Sequence, residues 1–303
     1  MLKTFADMRR VAQEAPPLRL AVAGGNDPRV IEAVVIALQD NLATSAIITG
    51  NANEIEAGLP EDVRIKVEVQ HYDSAADCAT AAAAAVRDGQ ADVLVKGHVD
   101  STSYLKAVVN RDTGIRDGGV LSNVTVAEMP SYHKLLAATD NGIVPFPTLD
   151  QKRQMILNTR HLYRGLGIET AKVAALTATE KQSDALPATG EAAALAQEAG
   201  RGDLPGFAVD GPFGYDVAVS AKAAKTKGFS NSPVAGDTDL LLFSNIDAAN
   251  AVAKAWKFHG EANTGSVVLG ASVPVLLNSR SDGTDRRINA LLLAAVIKNG
   301  FLS

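Results

Sequence analysis

Leu18-Arg19-Leu20-Ala21-Val22-Ala23-Gly24-Gly25-Asn26-Asp27-Pro28-Arg29-Val30-Ile31-Glu32-Ala33-Val34-Val35-Ile36-Ala37-Leu38 passes from a short apolar run, through a glycine turn, into apolar residues at helical spacing. A short apolar run closed by turn residues reads as a buried strand. Asp27 followed by Pro28 reads as a helix start, because proline suits the first helical position and aspartate caps it. The turn between them lacks the three-glycine spacing of a dinucleotide fingerprint. It therefore reads as a tight strand-to-helix connection.

The same alternation recurs downstream. Further strands are expected at Ala46–Thr49, Val93–Val95, Val173–Leu176, Gly206–Val209, Leu240–Phe243 and Val267–Leu269. Helices are expected at Ser74–Val86, which is rich in alanine, at Leu149–Leu166 and at Asp247–His259. Strand and helix in alternation argue for α/β layers with parallel strands and right-handed crossovers. In such sheets ligands bind beyond the carboxyl ends of the strands. With 303 residues the chain exceeds one ordinary core and suits two α/β domains. Breaks are expected near Gly118-Gly119 and near Gly265. Each reads as a domain crossing.

Bulk composition narrows the function. Hydrophobic residues make up 47% and charged residues 21%, as in a folded globular chain. The net charge of -5 offers no basic excess for a nucleic-acid backbone, so no nucleic-acid partner is expected. An anionic small ligand would need a local basic pocket instead. Cys78 is the single cysteine, which excludes an intrachain disulfide and agrees with a reducing compartment. Met1–Pro17 has no apolar core of a signal peptide, and Leu291–Ile297 is too short to cross a membrane. A cytoplasmic protein without a membrane partner is expected. The five histidines fall at no metal-ligand spacing, so no metal is expected. No phosphate loop ending in Gly-Lys-Ser or Gly-Lys-Thr occurs, and no Gly-x-Ser-x-Gly elbow.

Four segments carry candidate chemistry. Asn278-Ser279-Arg280-Ser281-Asp282-Gly283-Thr284-Asp285 follows the apolar run Val273–Leu277. Arg280 suits bidentate phosphate binding, Ser279 offers a hydroxyl and an N–H, and Asp282 or Asp285 can take a proton. A capped helix start fits the same residues. Asp210-Gly211-Pro212 through Asp216 reads as a turn, or as acids of a site wall. Lys96-Gly97-His98-Val99-Asp100-Ser101-Thr102, with Lys106 about one turn further, reads as an anion site at a helix start or as a helix cap with a solvated lysine. In Gly236-Asp237-Thr238-Asp239 and the following Ser244–Lys254, Asn250 and Lys254 share a helix face, which fits ligand support or a surface helix.

These four segments, in this order, resemble the phosphate acetyl/butyryl transferase family from Leu18 to Val296. The resemblance implies two α/β domains with a cleft between them, as in isocitrate and isopropylmalate dehydrogenases, and a homodimer built through the second domain. It implies interconversion of acyl-CoA plus phosphate with acyl phosphate plus CoA. Coenzyme A is then a substrate, and no cofactor is expected. Ser279 and Arg280 match the family's Ser-Arg pair, serine contacting the carbonyl and arginine the phosphate. Asp285 lies one residue from the acetyl branch's catalytic aspartate, and Asp282 is also within reach. Lys106 falls one residue from a phosphate-binding arginine of that branch. Ser101, Thr102, Lys96, Asp210 and Asp216 complete the expected substrate-binding set. A dehydrogenase of the same fold and a non-catalytic CoA-binding protein are the alternatives.

Overall fold

The computed structural model describes residues 1–279 and 282–302. In chain order the elements begin α1 (Phe5–Glu14), β1 (Leu18–Ala23), α2 (Pro28–Gln39), β2 (Ala43–Gly50), α3 (Ala52–Gly58), α4 (Glu61–Arg64) and β3 (Val67–His71). Next come α5 (Ala75–Arg87), β4 (Val93–Lys96), α6 (Ser101–Val109), β5 (Ser122–Glu128), β6 (Leu136–Thr139), α7 (Leu149–Asn158) and α8 (Arg160–Gly165). There follow β7 (Ala171–Leu176), α9 (Pro187–Gly200), β8 (Phe207–Phe213), α10 (Tyr215–Val219) and α11 (Ala221–Thr226). The last are β9 (Leu240–Leu242), α12 (Ile246–Phe258), β10 (Asn263–Leu269), β11 (Val275–Leu276) and α13 (Thr284–Leu302).

The chain forms two compact units. One comprises Phe5–Gly119 with Gly265–Ser303. Its strands run in the order β3-β2-β1-β4-β11-β10. Neighbours from β3 to β11 are parallel, and β10 is antiparallel to β11. β1 pairs in register with β4, Leu20 opposite Val93 and Ala23 opposite Lys96. Asp27 caps α2 by accepting the Arg29 N–H, and Pro28 opens it. Ser74 caps α5, whose alanines let it lie close against β1, β2 and α6. Tyr104 of α6 is fully buried, with its hydroxyl 3.0 Å from the Leu94 carbonyl and 3.1 Å from that of Leu276. It ties α6 to β4 and to the end of β11. Helix α13 is buried on every face from Ala290 to Ile297 and packs on α1 and α2. Its buried leucines, Leu291, Leu292 and Leu293, each contribute ~1.5–3 kcal/mol by leaving water.

The other unit comprises Met1–Thr4 with Val120–Thr264 and orders its strands β5-β6-β9-β7-β8. Here β5 and β6 are antiparallel and the other neighbours parallel. Its core gathers Leu136, Leu176, Phe213, Leu241, Phe243 and Trp256.

Several sequence expectations are corrected. The strands are mixed in direction, not all parallel, because β5/β6 and β10/β11 are antiparallel. The segment Leu149–Leu166 is two helices. Thr159 separates them by giving both its N–H and its hydroxyl to the Ile156 carbonyl. Asp210-Gly211-Pro212 is no turn but lies inside β8. Its turn chemistry serves a bulge: the register against β7 shifts between Ala174 and Leu176. Gly211 there has φ +149°, and a Cβ would fall 2.7 Å from the Ala175 carbonyl oxygen.

Candidate functional site

Strands β1, β4 and β11 are adjacent, parallel neighbours, and the loops at their carboxyl ends surround a cavity of about 440 Å³. Asp27, Arg29, Lys96, His98, Asn278 and Arg287 are among its lining residues. Two of the loops touch through glycine. A Cβ on Gly97 would sit 1.9 Å from the Gly24 carbonyl oxygen. Gly24, at φ +78°, accepts the His98 N–H at 2.5 Å, and Gly97 donates to the Ala23 carbonyl at 2.9 Å. Side chains on either glycine would part the loops.

Helix starts gather at this cavity. Asp27 precedes α2, Ala75 begins α5 and Asp100 precedes α6, and all three line the wall. The partial positive charge of such helix ends favours anions. Asp27 is already spent: it takes two hydrogen bonds from the Arg29 guanidinium, at 3.0 and 2.8 Å, and the Arg29 N–H. The side-chain bonds from Arg29 are the main reason that its carboxyl is held below the usual range. Asp100 accepts the Ser103 N–H at 2.8 Å, and that bond lowers its pKa. Lys96, only 5% exposed, brings a buried cation to the end of β4.

The segment after β11 contributes both flanks of its candidate chemistry to the wall, Asn278 and Arg287. Asp282, 3% exposed, accepts the Ser279 N–H at 2.9 Å, while its own N–H donates to the Ser279 carbonyl at 3.0 Å. Arg286 Nη1 stands 3.5 Å from the second Asp282 oxygen. The Ser279 N–H, which the sequence reading offered to a substrate, is thus donated to Asp282 in this structure. Ser279 is exposed, and so is Asp285 in the first turn of α13. Arg280 lies outside the described residues.

The other expected residues are placed as follows. Ser101 and Thr102 open α6 and are exposed, with the cap supplied by Asp100. Lys106 is exposed in the last turn of that helix and does not line this cavity. Asp210 and Asp216 belong to the unit Val120–Thr264 and are engaged there. Asp210 accepts from Ser232 Oγ at 2.5 Å, and Asp216 pairs with Lys227 at 3.0 Å. Asn250 donates to the Asn141 carbonyl at 3.0 Å and so anchors α12. Arg287 was not singled out from sequence. Its signal was the helix face it shares with Leu291 and Ala294, residues of an apolar run, which marks position 287 as buried. Among the described residues, no three histidine, cysteine or acidic side chains form a group able to hold a metal ion. No helix among them is long and apolar enough to cross a membrane.

A family model described as "Phosphate acetyl/butaryl transferase" matches residues 69–295, well over half of the chain. The chain belongs to the phosphate acetyl/butyryl transferase family. Within this family it is 33% identical to the phosphate butyryltransferase of Clostridium beijerinckii, with 98% of each chain covered. It is 37% identical to the phosphate acetyltransferase of Thermotoga maritima, covering 92% of this chain and 94% of that one. A crystal structure of a branched-chain phosphotransacylase from Enterococcus faecalis V583 superposes with a TM-score of 0.81 at 27% identity, covering 92% of this chain and 98% of that one. Acetyl-named and butyryl-named relatives of this transferase family thus match at similar identity.

Proposed function

We propose that the chain is an acyltransferase that interconverts acyl-CoA plus inorganic phosphate with acyl phosphate plus CoA, by direct transfer in a ternary complex. Membership of the family over nearly the whole chain carries this reading. The basic, helix-end cavity beside the Asn278–Arg287 segment supports it. In the direction of acyl-CoA synthesis, Asp285 takes the proton of the CoA thiol, whose ordinary pKa of about 8.5 makes a base useful at neutral pH. The thiolate attacks the acyl carbonyl, and a C–S bond replaces the C–O bond to phosphate. Ser279 stabilises the oxyanion through its hydroxyl, a role worth ~3 kcal/mol where measured. Arg280 holds the departing phosphate. Asp282 has its oxygens facing the Ser279 N–H and Arg286, which supports Asp285 as the base. Coenzyme A is a substrate here, and no bound cofactor or metal takes part in this scheme.

The same reading takes residues 1–118 with 266–303 and residues 119–265 as the domains, the second forming a homodimer in the cytoplasm. Phosphate-dependent release of CoA from acetyl-CoA and butyryl-CoA tests the activity and ranks acyl length at once. Release should require phosphate and show an intersecting initial-rate pattern. Ping-pong kinetics with a trapped acyl-enzyme would overturn direct transfer, and no phosphate-dependent release would overturn the activity.

A further inference from the structure

Arg287 is only 6% exposed, and its Nε and Nη1 are buried without a hydrogen-bond partner. Buried guanidinium groups are normally paired, because an unpaired charge out of water is costly. The two carboxylates that act on Arg287 through space, Asp27 and Asp282, are held by Arg29 and by Ser279 N–H and Arg286. Burial pulls the Arg287 pKa below its ordinary value, with Asp27 opposing. A guanidinium nonetheless stays charged at neutral pH. Asn278, 6% exposed, adds a third unsatisfied buried polar atom, Oδ1, to the same cavity wall. Lys96 adds a second buried cation.

The geometry points to Arg287 as a phosphoryl-binding group, which with Lys96 and Asn278 forms a subsite for the inorganic phosphate that accepts or leaves the acyl group. The assignment rests on the acyltransferase reading for the identity of the phosphate. A planar fork with free donors fits two oxygens of one phosphoryl group. The Asn278 amide meets a third oxygen, its Oδ1 accepting from a P–OH or, after a half-turn, its Nδ2 donating to P–O⁻. The phosphate groups of coenzyme A share this chemistry. Inorganic phosphate is favoured because Asn278 and Arg287 flank the Ser279 segment in the chain.

The test uses Arg287→Met, which keeps bulk but removes charge, and Arg287→Lys, which keeps charge but not the fork. In phosphate-free buffer Arg287→Met should melt at or above the wild-type temperature, because it removes an unpaired buried charge. Wild-type Tm should rise with added inorganic phosphate, and Arg287→Met should lose that rise. In phosphorolysis the KM for phosphate should increase at least about tenfold in Arg287→Met, the effect of losing charged hydrogen bonds. The KM for acyl-CoA should stay within about twofold, and Arg287→Lys should fall between. A lower Tm in both variants with an unchanged phosphate KM would make Arg287 a structural residue. A raised acyl-CoA KM with an unchanged phosphate KM would move the subsite to coenzyme A. If Arg287→Met does not fold, a wild-type phosphate KM in Arg287→Lys overturns the assignment and a raised one supports it. If the wild type shows no acyl transfer, the reading of the activity fails, while the phosphate-dependent Tm still decides the anion site.

Discussion

The Asp282 carboxylate accepts the Ser279 N–H at 2.9 Å, while Asp285, three residues on, is exposed in the first turn of α13. The two carboxylates that sequence left as rivals thus differ in burial and engagement. Asp285→Asn should lower kcat by ~10²–10⁴-fold with little change in Tm, the range lost with a general base. Equal kcat values for wild type and Asp285→Asn would dismiss this carboxylate as the base. Asp282→Ala should lower both Tm and kcat, because the Ser279 N–H loses its acceptor. Asp282→Asn keeps an oxygen for the Ser279 N–H and should recover most of the Tm. Sequence reading found the Asn278–Asp285 segment because serine, arginine and aspartate cluster there after an apolar run. It passed over Arg287 because Asp285-Arg286-Arg287 looks like solvated charge at a helix start. Only the burial of α13 on every face turns one of those charges inward.

Between strand and helix, the decisive contact is glycine on glycine. The Gly97 Cα approaches the Gly24 carbonyl so closely that an added methyl would stand 1.9 Å from its oxygen. Gly97→Ala should therefore push the loop after β4 away from the loop after β1 and widen the cavity. It should cost ~2–4 kcal/mol in urea unfolding, the scale of a forced backbone shift, and should raise substrate KM values. A Gly97→Ala protein with wild-type stability would show that the loops are free to separate. The βα turn at Gly24–Asp27 was legible because proline, aspartate and glycine each act locally. Four strands were not, although the apolar run Val273–Leu277 contains β11 (Val275–Leu276). In β3, Val67–His71, no side chain is fully buried, so the apolar run that marks a core strand is missing. In β5 and β6 the sequence hides pairing behind polar residues. Asn123 and Thr125 are buried but find Asn141, through Nδ2 to Oδ1 at 2.7 Å and through the Thr125 hydroxyl at 3.0 Å. Antiparallel pairing also leaves no local sequence mark of its own.

Across the whole chain the net charge of -5 opposes anions, so phosphate affinity has to arise from the cavity's own cations and helix ends. Charge also sets the response to acid, because each unit carries a carboxylate stapled by cations. In the unit Val120–Thr264, burial would raise the Asp237 pKa, yet bonds from Lys172, Lys134 and His133 hold it well below the ordinary range. In the unit with the cavity, burial would likewise raise Asp92, but Arg19 and Lys298 hold it at about 2 against an ordinary 3.8. Arg19 belongs to β1 and Lys298 to α13, so Asp92 joins a strand to the core helix. A carboxyl whose pKa falls on folding stabilises above its unfolded value and loses that effect as pH drops toward the folded value. The Asp92 contribution is thus complete above about pH 5 and fades between about pH 4 and 2. Asp92→Asn should cost roughly 1–2 kcal/mol at pH 7, part of the shift being screened by solvent. Urea midpoints of wild type and variant, compared at pH 7 and then stepwise below pH 4, should converge as acid is added. A gap that stays constant with pH would mean that the Asn side chain fails for reasons of fit and not of charge.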